Sequence, residues 1–268
     1  MKMNDSFVSP LLCPGDSLPF EVLRGGGKSP VLIVCDHAGR RIPTVCGSLG
    51  LREEDLSGHI AWDIGARDIA IRMAERLDAT LVCGVYSRLV IDLNRYPWDP
   101  AAVPEISDTI LVPYNRSVSN PERQRRIDEL HRPYHAAISG QLDRIAASGV
   151  QPILLSVHTM TDKLSSGRSR DEHYAVLWSE RDPELSQQML AWLIRNAEGL
   201  TGDNTPYSLD IGIDFTVPEH GFRRQIPTFM FEVRQDLVST AADASQRADL
   251  LSDGLVAVLG DRLNQIPF

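Results

Sequence analysis

Apolar and polar residues fall along this chain in two kinds of pattern. Short unbroken apolar runs, rich in β-branched residues, alternate with longer stretches in which apolar positions return every three or four residues. The first kind reads as strands buried on both faces, the second as helices with one buried stripe. Residues 31–36 (VLIVCD), 152–157 (PILLSV) and 228–233 (TFMFEV) belong to the first kind. Strand-like segments are also expected at 80–86, 88–92 and 174–178. Helical spacing runs from Asp63 to Leu77 through Ile69, Ala70, Met73 and Ala74, with Asp63 positioned to cap the first amides. Asn120, Pro121 and Glu122 open a helix reaching about 148, which Pro133 kinks or splits. Asp182, Pro183 and Glu184 open another to about 197. The last spans about 241–263, with Ala248, Leu251, Leu255, Val258 and Leu259 as its stripe.

The remaining segments read as connections. Residues 44–58 form a loop with room for one helical turn, and 98–114, holding Pro100, Pro104 and Pro113, form a long loop over a site. Residues 159–172 are rich in Ser, Gly, Arg and Lys, and 199–226 read as loop and short strand. This alternation predicts an α/β fold, a three-layer α/β/α sandwich around a mostly parallel or mixed sheet. Residues 1–28, with Pro10, Pro14 and Pro19 and the run Gly25, Gly26 and Gly27, read as an irregular N-terminal leader. Residues 29–268 read as a single α/β domain.

Composition narrows the function. A net charge of −9 with no Lys/Arg run longer than two residues gives no electrostatic support for nucleic acid. No apolar run approaches the ~20 residues of a membrane span, and the first residues lack the apolar core of a signal peptide. The cytoplasm is the expected location. Cys13, Cys35, Cys46 and Cys83 form neither a CxxC pair nor a disulfide framework and read as reduced structural thiols. There is no GxSxG elbow, no P-loop and no Rossmann glycine fingerprint, since Gly25, Gly26 and Gly27 precede a strand rather than joining one to a helix.

The candidate chemistry gathers at strand ends. Asp36 and His37 close the first buried run, His158 closes another, and Glu232 lies in a third. Ligands in α/β sheets bind at the carboxyl ends of strands. Either histidine alone suits a hydrogen-bonded structural role. Together, at matching strand ends and with a carboxylate near, they favour a catalytic zinc site with an open position. His131 and His135, four apart without a third HExxH-type ligand, read as a helix-surface pair. Arg223 and Arg224 read as a solvated loop pair, and Arg234 with Asp236 as a buried ion pair. Asp92 is placed to orient an arginine.

Five motifs carry a family resemblance: CDHAGRRIP (35–43), HIAWDIGA (59–66), SRLVIDLNRYP (87–97), LLSVHTMTD (154–162) and FMFEVRQD (229–236). Together they resemble the N-formylglutamate amidohydrolase family over roughly residues 20–262. DLNR, S-x-H and FE-x-R are more distantly similar to zinc carboxypeptidases. The resemblance implies a zinc-exopeptidase-like fold, one Zn²⁺ per chain, and hydrolysis of a linear amide C–N bond in a small anionic N-acyl amino acid. By position it implies His37 and His158 as metal ligands and Glu232 as general base. It assigns Asn94 and Arg95 to the substrate α-carboxylate and Arg88 to the oxyanion. The carboxypeptidase ligand Glu has no counterpart, because Arg40 stands there; Asp63 takes its place, with Asp36 in reserve. Asp63 also suits a plain helix cap. His220, in the loop PEHGF, is a candidate substrate contact or a structural residue. Two other functions remain open at this point: a zinc peptidase or deacylase for another acyl amino acid or short peptide, and a non-catalytic protein retaining the fold.

Overall fold

The computed structural model describes residues 9–264 except 182, 206, 210 and 211. Asp182, expected at a helix start, lies outside the described residues. The first apolar run forms strand β2, Val31–Cys35, with every residue buried. Its side chains alternate into two separate cores: Val31, Ile33 and Cys35 enter one, Leu32 and Val34 the other. This is why the run carries no polar position; both faces of the strand are dry. Strand β6, Ile153–Met160, is likewise buried throughout, with Ile153, Leu155 and Val157 in the first core and Leu154 in the second.

These strands sit in a seven-stranded sheet of order β1-β3-β2-β6-β9-β7-β8. The other members are β1 (Phe20–Leu23), β3 (Thr80–Gly84), β7 (Glu172–Leu177), β8 (Leu200–Asp203) and β9 (Thr228–Arg234). β3, β2, β6 and β9 run parallel, while β1 on β3 and β7 on β9 are antiparallel, so the sheet is mixed. A separate hairpin joins β4 (Ile106–Ser107) to β5 (Ile110–Leu111). Helices α2 (Ala66–Leu77), α5 (Glu184–Asn196) and α6 (Ala241–Leu259) cover one core, and α4 (Arg132–Ala147) covers the other. Two short helices, α1 (Glu53–Ser57) and α3 (Asn120–Arg126), complete the helical set used here. The fold is the expected three-layer α/β/α sandwich.

The connections place the site. From β2 the chain crosses by α2 to β3; from β3 it returns through α3 and α4 to β6, on the other flank of β2. The two crossovers cover opposite faces, which opens a crevice at the carboxyl ends of β2 and β6. Gly84 ends β3 there: a Cβ on it would lie 2.3 Å from the Asp36 carbonyl oxygen, so only glycine allows this approach.

Three expectations need correction. Residues 88–92 form a buried turn, not a strand; Leu89, Val90 and Ile91 are apolar because they fill the second core, and Val90 N–H bonds back to Ser87. The expected leader contributes β1, paired with β3 from Phe20 to Leu23. Residues 98–114 carry the β4–β5 hairpin. Pro133 marks a break in helix type: a π turn at Ile127–His131 leads into α4, of which the proline is the second residue. The four cysteines are free. Among the described residues no helix is long and apolar enough to cross a membrane.

Candidate metal centre

His37 follows the carboxyl end of β2, and its carbonyl accepts from Asp63 N–H (3.0 Å), which ties the segment before α2 to it. His158 projects from β6. One ligand atom from each of His37, Asp63 and His158 lies within 4.8 Å of the others, and all three residues are buried. Asp63 Oδ2 lies 2.7 Å from His158 Nδ1 and 3.4 Å from His37 Nδ1. His37 Nδ1 is buried without a hydrogen-bond partner among the described residues.

The opposite nitrogens are held by two further carboxylates. Asp92 Oδ1 meets His37 Nε2 at 2.7 Å. Asp36 Oδ2 lies 3.2 Å from His158 Nε2, which also contacts Ser156 Oγ at 3.0 Å. Asp36 Oδ1 in turn accepts from Tyr134 Oη and Thr216 Oγ1, both at 2.8 Å. A carboxylate on the outer nitrogen fixes the ring and the tautomer and leaves Nδ1 as the lone-pair donor. Asp36, the reserve ligand, therefore faces away from the centre of the group and backs His158 instead.

Charge balance points the same way. Burial raises the Asp63 carboxyl, yet His37 and His158 outweigh it and hold the group far below the carboxylate range. Burial lowers His158, but Asp36 and Asp63 drive it well above an ordinary imidazole. Burial and Arg88 lower His37; Asp92 and Asp63 reverse the sign. Buried carboxylates surrounding two imidazoles call for positive charge at their centre, from protons or from a cation. Two imidazole nitrogens and one carboxylate oxygen fit a divalent transition metal with positions left open.

Glu232 is the register partner of His158 on the adjacent parallel strand β9. Its Oε2 is buried without a hydrogen bond among the described residues, and burial, reinforced by Asp63, pushes its carboxyl up to about 7. His37, Asp63, Arg88, Arg95, His158 and Glu232 all line one cavity of about 240 Å³. Arg88 donates Nε and Nη2 to Asp92 (3.1 and 2.7 Å), and its Nη1 lies 3.5 Å from Asp63. Arg95 donates Nη1 to Asp214 at 3.0 Å.

The family model of N-formylglutamate amidohydrolase matches residues 29–239. The chain belongs to the N-formylglutamate amidohydrolase family. It is a hydrolase of amide bonds. The N-formylglutamate deformylase of Pseudomonas putida is 29% identical over 204 residues, covering 68% of this chain and 69% of that protein. The Pseudomonas aeruginosa deformylase is 32% identical over 187 residues, or 62% and 66% of the two chains. A solved gene product of Agrobacterium tumefaciens superposes with a TM-score of 0.89 at 30% identity, covering 94% of this chain and 98% of its own. The N-formylglutamate amidohydrolase structure from Ralstonia eutropha JMP134 shares the fold at 20% identity and a TM-score of 0.69, covering 93% and 98%.

Two candidate site residues, Asn94 and His220, are engaged by the protein's own groups. Asn94 touches the cavity, but its side chain is buried and engaged: Nδ2 donates to Asp214, and Oδ1 accepts from Phe215 and Thr216 N–H. It holds the loop at 214–216 against the turn carrying Arg95. His220 lies outside the cavity, on a π turn at Pro218–Phe222, where it bonds His135 at 2.9 Å. His131 and His135 are not a surface pair: both are buried, on the carbonyls of Arg95 and Leu93. Arg223 and Arg224 pair with Glu219 and Asp143. Arg234 pairs with Asp236, half exposed rather than buried. Sequence reasoning missed the backing roles of Asp36 and Asp92, and missed His59 and Arg170 in the cavity wall. The DH pair and the ID in IDLNR were the only signals of the first two.

Proposed function

We propose that the chain is a zinc-dependent deformylase of N-formylglutamate or a close N-acyl amino acid. The observation that carries this is the buried His37, Asp63 and His158 group, each imidazole backed by its own aspartate, beside Glu232, whose Oε2 has no hydrogen-bond partner among the described residues. His37 Nδ1, His158 Nδ1 and an Asp63 oxygen would hold one zinc ion. Bound there, zinc supplies Lewis acidity to the acyl carbonyl and to water. Glu232 takes the proton from the attacking water and delivers it to the departing amine, so that formate and a free amino acid are produced. A carboxyl near 7 is suited to both directions of transfer. Arg88, rigidly held by Asp92, offers positive charge to the developing oxyanion. Arg95 pairs with the substrate α-carboxylate through the part of its fork that Asp214 leaves open.

The test is metal content of the purified protein together with formate release from N-formyl-L-glutamate before and after chelation. About one zinc per chain with chelator-sensitive turnover is the expected result. Full turnover in metal-stripped protein would overturn the zinc assignment. Stoichiometric zinc without formate release would remove this substrate and retain the centre.

A further inference from the structure

Three guanidinium groups line the cavity, and their counter-ions differ. Arg88 is bracketed by Asp92 and Asp63, and Arg95 is paired with Asp214. Arg170 forms no ion pair among the described residues; its Nη1 donates only to the Thr161 carbonyl, at 3.1 Å. Its charge reaches Glu232 across the cavity without direct contact.

Arg170 is nonetheless fixed in place. Its N–H donates to the Asp162 carbonyl (2.8 Å), and its own carbonyl accepts from Arg234 Nη1 (2.9 Å). The loop that carries it is clasped to the opposite wall. Ser165 N–H and Oγ both donate to Asp108 Oδ2 (3.0 and 2.9 Å), and His59 Nε2 meets the same oxygen at 2.9 Å. The cavity thus presents one positioned, half-buried cation whose remaining donors meet no carboxylate among the described residues. A planar fork in that state is complementary to a second carboxylate on the ligand.

We infer that Arg170 is the residue that binds the side-chain carboxylate of the substrate and sets the preference for a glutamate over a glutamine side chain. This rests on the deformylase reading only for the place of the first carboxylate, at Arg95. Arg88 is excluded from the task by its two aspartates.

The experiment compares N-formyl-L-glutamate with N-formyl-L-glutamine, its uncharged isostere, on the zinc-loaded wild type, R170Q and R170K. The wild type is expected to favour the glutamate derivative in kcat/KM by roughly 10- to 100-fold. R170Q should lose that factor on glutamate and change on glutamine by less than about threefold; R170K should keep part of the preference. Equal losses on both substrates, or a preference that survives R170Q, would overturn the inference. Calorimetric binding of L-glutamate and L-glutamine separates this inference from the deformylase reading. Tighter glutamate binding that disappears in R170Q supports the Arg170 subsite even if no formate is released. Equal binding of the two amino acids by the wild type, or binding of neither, removes it.

Discussion

Each histidine in the candidate metal group has one nitrogen facing inward and the other held by an aspartate, and this division makes separate predictions for separate residues. Asp92→Asn should weaken metal affinity by about 10- to 100-fold, read by competition with a chromophoric chelator. Unchanged affinity would refute the backing role. Glu232→Gln should retain the metal and lose about 10²- to 10⁴-fold in kcat. The Glu232 carboxyl sits near 7 before a cation is bound, and a nearby cation can only lower it. Activity should therefore rise with pH along an acid limb centred at or below 7, because the base works deprotonated, and that limb should vanish in the Gln variant. His37, His158 and Glu232 were legible because they end or interrupt apolar strands. The hold of Asp36 and Asp92 on the two imidazoles was not, because a carboxylate beside a histidine or an arginine in sequence reads as a local pair; the orienting of an arginine by Asp92 was legible, and Arg88 is that arginine. Arg170 was hidden in a polar loop, where a lone arginine resembles any solvated charge.

The strands were readable for a physical reason: β2 is dry on both faces, so no polar residue interrupts it, and β6 opens with the apolar run at residues 153–155 for the same reason. Residues 88–92 show the limit, since burial without pairing produces the same apolar string. Gly84→Ala tests how closely β3 is tied to the site. The new methyl collides with the Asp36 carbonyl, which is backbone and cannot swing aside. A loss of about 1–3 kcal/mol in urea denaturation is expected, with weakened metal binding alongside. A neutral result would mean that β2 and β3 separate without disturbing Asp36. The π turn at Pro218–Phe222 gives an element-scale pH effect. Burial, helped by Arg224, lowers His220 to about 4, and burial lowers His135 as well. The unfolded chain binds more protons between about 6.5 and 4, so stability present above 6.5 is lost as pH falls toward 4. His220 alone contributes about 3 kcal/mol to that loss as an upper figure. Denaturation midpoints at pH 7 and pH 4 in the wild type and His220→Gln should show a smaller drop in the variant.

At the scale of the molecule, the proposed ligands come from three separate segments, and the metal should brace the fold as a whole. A ligand present at 100 times its Kd stabilises the native state by about 2.7 kcal/mol. The melting temperature of the metal-free protein should rise by several degrees on adding zinc and fall again with chelator. No shift, with metal bound, would mean that the unfolded chain holds the ion equally well. The sandwich itself was legible from the alternation of patterns. The sheet order was not: nothing in the sequence of β2, β3 and β6 says which flank of β2 each one takes, and that choice creates the crevice.

The order of the site along the chain has a consequence for synthesis. His37, Asp63 and His158 all precede β7, whereas Glu232 belongs to β9, the last strand made. A chain growing from its N-terminus emerges with every proposed metal ligand well before its base. β9 then inserts between β6 and β7, strands already formed in sequence, to bring Glu232 beside His158. On the proposed assignment the site is complete only when the sheet has closed around β9.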